Sequence, residues 1–348
     1  MTLSNILMER YKVEQLLQQL FSVCQDLSPS LIETHISWVI LANSYAYKIK
    51  KPVKFDFLDF STLSERKYFC ERELLLNKRL AADMYIAVVG IYQEGNTFKL
   101  QEAYNGAAIE YAVKMKKMDP DLELSTLIRN NQNIENQRIL KLAQKIAQFH
   151  SQAQVINKQP NFNGIKSRFN DIEVAKYAAA QLLGPSFATL ITEVIRRSDL
   201  YLEQHASLFM ERSTQGFVRD VHGDLHTGNI LLYKDPVVFD CIEFDDELRQ
   251  IDILNEVAFL CMDLEAWQRK DLSTLFFDHY TRFSGMPELN RFASLFHYYK
   301  IFCANIRAKV ALISAVDANK LHLSNENEQT ALRYLNLLKY YISAQYVS

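Results

Sequence analysis

Between Val221 and Leu232 the chain reads VHGDLHTGNILL, which sets His222, Asp224, His226 and Asn229 beside two glycines, just ahead of an apolar Ile-Leu-Leu. Further on, Asp240 ends the apolar segment PVVFD. The runs NILLY and VVFD, parted by Lys234-Asp235-Pro236, read as a hairpin that brings the Asp224–Asn229 loop alongside Asp240. Oxygen donors of these types suit Mg²⁺, which takes carboxylate, phosphate and water oxygens. Asn229 and Asp240 are then candidate metal ligands. Asp224, kept off the metal, can orient an attacking hydroxyl and accept its proton. The chemistry this predicts is phosphoryl transfer. A zinc set built on His222, Asp224 and His226 is excluded because no further His or Cys arrangement completes it. Asp224 and Asn229 as mere turn-formers leave the following strand and Asp240 unexplained.

The elements that must position these residues fall into two blocks. Residues 1–118 read as a small sheet with one main helix, STLSERKYFCERELLLNKRL, capped by Ser61 or Ser64. An earlier helix runs from Ile6 to Cys24 and stops before Pro29. Strands are expected around an Asn43-Ser44 turn and around a Gly95-Asn96 turn, with another in AAIEYAVKMKKM. Asp119-Pro120-Asp121 marks the boundary. Residues 119–348 read as mainly helical, interrupted by the strand-rich island Phe217–Phe244 and resuming with LRQIDILNEVAFLCMDLEAW.

Composition narrows the function classes. A 348-residue chain with 49% hydrophobic residues can bury a substantial core, and a net charge of -2 offers no basic field for nucleic acid or an anionic membrane. Five scattered cysteines without a C-x-x-C pair read as free thiols in a reducing compartment. The charged N-terminus forms no signal-peptide core, and no apolar run is long enough to span a bilayer. The expectation is a cytoplasmic protein.

The H-x-D-x-x-x-x-N spacing with a strand-end Asp matches the protein-kinase catalytic loop and metal-binding Asp. More specifically, HGDLHTGNILL…VVFDCIEFDD resembles the aminoglycoside phosphotransferase and choline kinase group, the small-molecule branch of the protein-kinase-like fold. The similarity extends to LIETHISWVILANSYAYKIKKPV, CERELLLNKRL and LRQIDILNEVAFLCMDL, where the chain resembles a bacterial subgroup of uncharacterised aminoglycoside-phosphotransferase-like proteins. Some of that subgroup carry an added P-loop kinase domain. The chain has no G-x-x-x-x-G-K-[ST], so that domain is not expected.

The resemblance implies an α+β, bilobal protein-kinase-like fold, with a small strand-rich N-lobe and a larger, mainly helical C-lobe. It implies ATP and Mg²⁺ as cofactors, Asp224 as catalytic base, Asn229 and Asp240 on the metal, and His222 bracing the loop. A lysine of YAYKIKK should reach the ATP phosphates. Ala46, Lys48 and Lys50 share one strand face; Lys48, two after a small residue as in V-A-I-K, is preferred, and Lys50 is the alternative. Its helix partner is Glu73, with Glu71 second. Backbone between Lys114 and Met118 should meet the adenine. No glycine precedes Gly90, so the segment LIETHIS, with Thr34, His35 or Ser37, stands in for a glycine-rich phosphate loop.

Other residues carry plainer expectations. Lys48 and Glu73 alone would be a solvated surface pair. Asp246 and Glu247 read as a solvated acidic face, Glu243 as a neighbour of a second metal, Asp252 as a helix brace and His150 as a satisfied core histidine. Arg307 and Lys309 read as a charged helix face, with a substrate-side role implied by the subgroup. A cationic acceptor would look to Asp245, Asp263 and Glu265. The function expected is transfer of the γ-phosphate to a small-molecule hydroxyl. The rivals are a nucleotide-binding pseudokinase acting as sensor or scaffold, and transfer of another part of ATP such as AMP.

Overall fold

The computed structural model of the protein describes residues 9–24, 30–42, 44–55, 58–102, 107–285, 289–320 and 326–343. The expected helix start at Ile6, the stop at Pro29 and the turn residue Asn43 lie outside the described residues. The chain divides into two compact units, residues 1–123 with 237–248, and residues 124–236 with 249–348.

In the first unit, helix α1 (Arg10–Cys24) precedes strands β1 (Ser30–Glu33), β2 (Ser37–Ala42) and β3 (Tyr45–Lys50) and a short ribbon, β4 (Lys54–Phe55) with β5 (Leu58–Asp59). Helix α2 (Leu63–Ala81) and strands β6 (Tyr85–Glu94), β7 (Thr97–Gln101) and β8 (Glu110–Lys116) follow. Six strands form one sheet in the order β1-β2-β3-β8-β6-β7, antiparallel throughout. Its core holds Trp38, Ile40, Ile49, Val89, Ile91 and Ala112 from the strands, closed by Val13 and Leu16 of α1. Gly95 takes a left-handed φ of 61° at the β6–β7 turn, where a side chain would be strained. The cap of α2 is Thr62, between the two expected serines. Its hydroxyl accepts the Glu65 amide at 3.2 Å, a bond worth about 1 kcal/mol at such positions. Beyond β8, Asp119 caps a single 3-10 turn, Pro120–Leu122, by accepting the Asp121 amide.

The second unit opens with helices α3 (Leu124–Arg129), α4 (Asn136–Gln152), α5 (Phe162–Asn170), α6 (Lys176–Leu183) and α7 (Pro185–Thr214). Then come β9 (Val218–Asp220), a 3-10 turn over Thr227–Asn229, and β10 (Ile230–Leu231). The chain returns to the first unit through β11 (Val237–Val238) and the start of α8 (Asp246–Arg249). It rejoins the second unit with β12 (Gln250–Asp252), α9 (Ile253–Ala266), α10 (Lys270–Ser284), α11 (Ala293–Lys320) and α12 (Glu326–Ser343).

Two sequence expectations change here. The helix expected to begin at Leu248 is interrupted, because Gln250–Asp252 pairs antiparallel with β9 and α9 starts only at Ile253. The contiguous division into 1–118 and 119–348 also differs from the packing, since Val237–Leu248 is held by the first unit. There the Asn77 side chain accepts the Cys241 amide at 2.9 Å. Among the described residues no helix is long and apolar enough to cross a membrane.

Candidate active site

Strand alternation in β3 sends Lys48 and Lys50 to the same face, and both ammonium groups reach one carboxylate, Glu73 of α2. Lys48 Nζ lies 2.9 Å from Glu73 Oε1 and hydrogen-bonds Asp240 Oδ1 at 2.6 Å. Lys50 Nζ bonds Glu73 Oε2 at 2.8 Å and also Glu243. Glu73 is fully buried, and burial by itself would raise its pKa. The two lysines outweigh burial and pull it down to about 2. The lysines differ in access. Lys50 is fully buried under the Phe60 ring, whereas the Lys48 side chain is 15% exposed and faces an Asp240 side chain that is 45% exposed. Asp240 itself holds a left-handed φ of 61°, a conformation a non-glycine residue keeps only when its surroundings enforce it. Its Oδ2 is engaged by no hydrogen bond among the described residues.

The loop 221–229 belongs to the second unit, and its shape is set by α9. Glu256 Oε1 accepts the His222 and Gly223 amides at 2.7 and 2.6 Å, while Oε2 accepts His150 Nε2 at 2.6 Å. Gly223 takes a φ of 86° between them, which a side chain would disfavour. One helical turn beyond Leu260, Asp263 Oδ2 accepts the Thr227 amide at 2.8 Å and its hydroxyl at 2.6 Å, and Oδ1 accepts Tyr334 Oη. The loop is thus pinned at both ends by buried carboxylates of one helix. Between the pins, Asn229 Nδ2 donates to Asp224 Oδ2 at 3.1 Å and to its carbonyl at 3.0 Å. His226 Nδ1 accepts the Gly228 amide, which leaves its Nε2–H facing Asp224 Oδ2 at 3.4 Å. Burial works to raise the Asp224 pKa, but His226, Arg307 and His222 outweigh it and hold the carboxyl well below its ordinary value. Asp224 is therefore an ionised acceptor, with Oδ1 engaged by no hydrogen bond among the described residues.

The structure brings Lys48, Lys50, Glu73 and Asp240 together in the first unit, and Asp224, Asn229 and His226 together in the second. His35 stands apart, exposed at the β1–β2 turn. The Thr34 hydroxyl accepts the Ser37 amide at 3.0 Å, so it closes that turn itself. Glu71 is not the lysine partner; it lies on the outer face of α2 near Lys67. Glu243 is buried against Lys50, so it is a structural counter-charge and not an open ligand. His150 and Asp252 are, as expected, a satisfied core histidine and a helix cap, the latter also pairing Arg212 at 2.7 Å. At the segment after β8, a groove of about 580 Å³ is lined by Ser44, Tyr45 and Lys116 to Pro120. The Lys116 and Lys117 amides are already taken by the Met84 and Ser44 carbonyls.

Glu256 and Tyr334 were not anticipated, and Asp263 was expected in another role. A signal existed for the acids: each interrupts the apolar run ILNEVAFLCMDL, and an acid with no solvent face must find an internal donor. Asp263 and Glu265, candidates for a cationic acceptor, are instead consumed internally, Glu265 by Lys300 at 3.1 Å and Ser273 at 3.0 Å. Asp245 caps α8 by accepting the Glu247 amide. Asp240 Oδ2 in the first unit and Asn229 Oδ1 in the second are each engaged by no hydrogen bond among the described residues, and each is an oxygen of the kind a hard divalent cation takes. Among the described residues no group of three or more His, Cys, Asp or Glu side chains is arranged to hold a metal ion.

Residues 118–292 match the phosphotransferase enzyme family. Uncharacterised proteins of Mycobacterium bovis and Mycobacterium tuberculosis are 32% identical over 289 residues, covering 81% of this chain and 54% of theirs. The chain thus spans about half the length of the curated relatives it matches. A choline/ethanolamine kinase family protein from Mesorhizobium loti superposes with a TM-score of 0.53 at 8% identity, over 96% of this chain and 95% of that one. The GDP complex of a wild-type aminoglycoside 2'-phosphotransferase gives 0.50 at 13% identity, over 97% and 99%. These likenesses establish an α+β, protein-kinase-like fold.

Proposed function

The chain belongs to the phosphotransferase enzyme family, and from that premise we propose that it transfers the γ-phosphate of ATP, as its Mg²⁺ complex, to a hydroxyl of a small molecule. The observation that carries this reading is Asp224: an ionised carboxylate fixed through one oxygen by Asn229 and His226, with the other oxygen open. In this role Asp224 takes the hydrogen bond of the acceptor hydroxyl, aligns its oxygen on the γ-phosphorus, and receives the proton as the O–P bond forms. Asn229 and Asp240 are the residues that would hold Mg²⁺, which would supply charge neutralisation. Lys48, the more accessible of the two lysines, contacts the phosphates, while Lys50 keeps Glu73 in place. The nucleotide in the solved GDP complex of a structural relative supports a nucleotide donor here. A pseudokinase role loses ground because Asp224, Asn229 and Asp240 are all retained.

Calorimetric titration of MgATP and MgGTP into the wild-type chain and Asp240→Ala tests the proposal. Metal-dependent binding to the wild type is expected to fall below detection in the variant. Absence of binding of either nucleotide to the wild type, or equal binding to both proteins, overturns it.

A further inference from the structure

Within the second unit, residues of α9, α10, α11 and α12 line a half-open cavity of about 730 Å³, a size that suits a small organic ligand. We propose that this cavity binds a small molecule that carries a phosphate or carboxylate on an aromatic or apolar body. The inference does not depend on the phosphotransfer reading.

Its charge is unbalanced. Lys270, Lys300 and Arg333 line the cavity with a single carboxylate, Glu265. That carboxylate is saturated: Lys300 Nζ approaches both oxygens at 3.1 Å, and the Ser273 and Tyr341 hydroxyls donate to it as well. Lys300 is therefore neutralised within the wall. Lys270 and Arg333 have no carboxylate partner among the described residues. The Arg333 guanidinium instead lies 3.5 Å from the centre of the Trp267 ring, which Arg129 approaches from 5.9 Å. Stacking engages the guanidinium face and leaves its N–H edges for an anion, the fork geometry that suits carboxylate and phosphate. Burial depresses the Arg333 pKa, with smaller contributions from the like charges of Arg129 and Arg307, and it outweighs the opposing influence of Tyr334 and Asp263.

The remaining wall is suited to a ring or chain. Leu337, Tyr340 and Tyr341 supply apolar and aromatic surface. Gln268 also lines the cavity, and it sits with a φ of 60° at the end of α9. The Gln268 amide bonds the Glu265 carbonyl and the Arg269 amide the Leu264 carbonyl, a helix ending where glycine is the usual residue. Glutamine there costs roughly 1 kcal/mol in backbone strain, and it keeps an amide side chain at the cavity rim.

The test titrates phenyl phosphate, benzoate and benzylamine into the wild-type chain and into Arg333→Gln/Lys270→Gln. The thermal midpoint and the circular dichroism spectrum serve as controls that the variant is folded. The expected result is that at least one of the two anions binds the wild type and binds the variant at least tenfold more weakly, with benzylamine failing to bind. Whichever anion binds more tightly identifies the group recognised. The proposal is overturned if neither anion binds at millimolar concentration, if the double substitution leaves their affinity unchanged, or if benzylamine binds as well as they do.

Discussion

Glu256→Ala lowers the unfolding free energy by about 3–5 kcal/mol, the range seen when one partner of a buried ionic network is removed. The expected loss is large because one carboxylate satisfies three donors, the His222 and Gly223 amides and His150 Nε2. Truncation leaves all three without an acceptor, the His222 amide and His150 buried and the Gly223 amide half-buried. Glu256→Gln keeps one oxygen for the two amides and is expected to recover more than half of the loss, at the cost of a mismatched amide against His150. Equilibrium denaturation of the three proteins checks this. Equal stability of Glu256→Ala and wild type would show that water or another group takes over the amides, and that α9 does not set the loop.

Asp224→Asn is expected to lower kcat by about 10²–10⁴-fold, the range that a positioned general base supplies. Nucleotide affinity should remain within about twofold, since the carboxylate is assigned to the hydroxyl and kept off the metal. Asparagine preserves volume and can still accept from Asn229, so the loop should keep its form. Phosphate release from MgATP with water as acceptor gives a readout before any acceptor is identified, and the same ratio should hold for a hydroxyl compound found by screening. Turnover within tenfold of wild type would remove Asp224 as the base and shift attention to His226.

Acid sensitivity follows from buried carboxylates held ionised, Glu73 and Glu256 among them. Glu73 has its pKa pulled to about 2 and Glu256 lies below its ordinary value of 4.5, so both contribute stability that is complete above about pH 4.5. That stability is lost as pH falls through the folded-state values. Thermal midpoints should decline below pH 4.5, and the acid slope should be shallower in Glu73→Gln, which cannot take up that proton.

The loop chemistry was legible in the sequence because its spacing is local. His222, Asp224 and Asn229 sit within eight residues, and the turn that presents them depends on Gly223 and the 3-10 turn at Thr227–Asn229. The strands of the first unit were legible for a similar reason: alternation in YAYKIK places both lysines on one face whatever they pack against. The β1 strand was missed, since LIE is too short to show a period, and β12 was read as helix because its three residues sit inside a helical pattern.

What tertiary structure decided was which charges meet. The V-A-I-K spacing preferred Lys48 to Lys50 but gave no physical difference between them; packing supplies one, since Glu243 and Phe60 close over Lys50 while Asp240 leaves Lys48 accessible. Likewise, Glu256 and Asp263 are two more acids in the sequence until α9 buries them beneath the loop. Local pattern determines a side chain's direction along its own element. Its partner, its burial and therefore its charge state are set by a second element distant in sequence, and only packing supplies that.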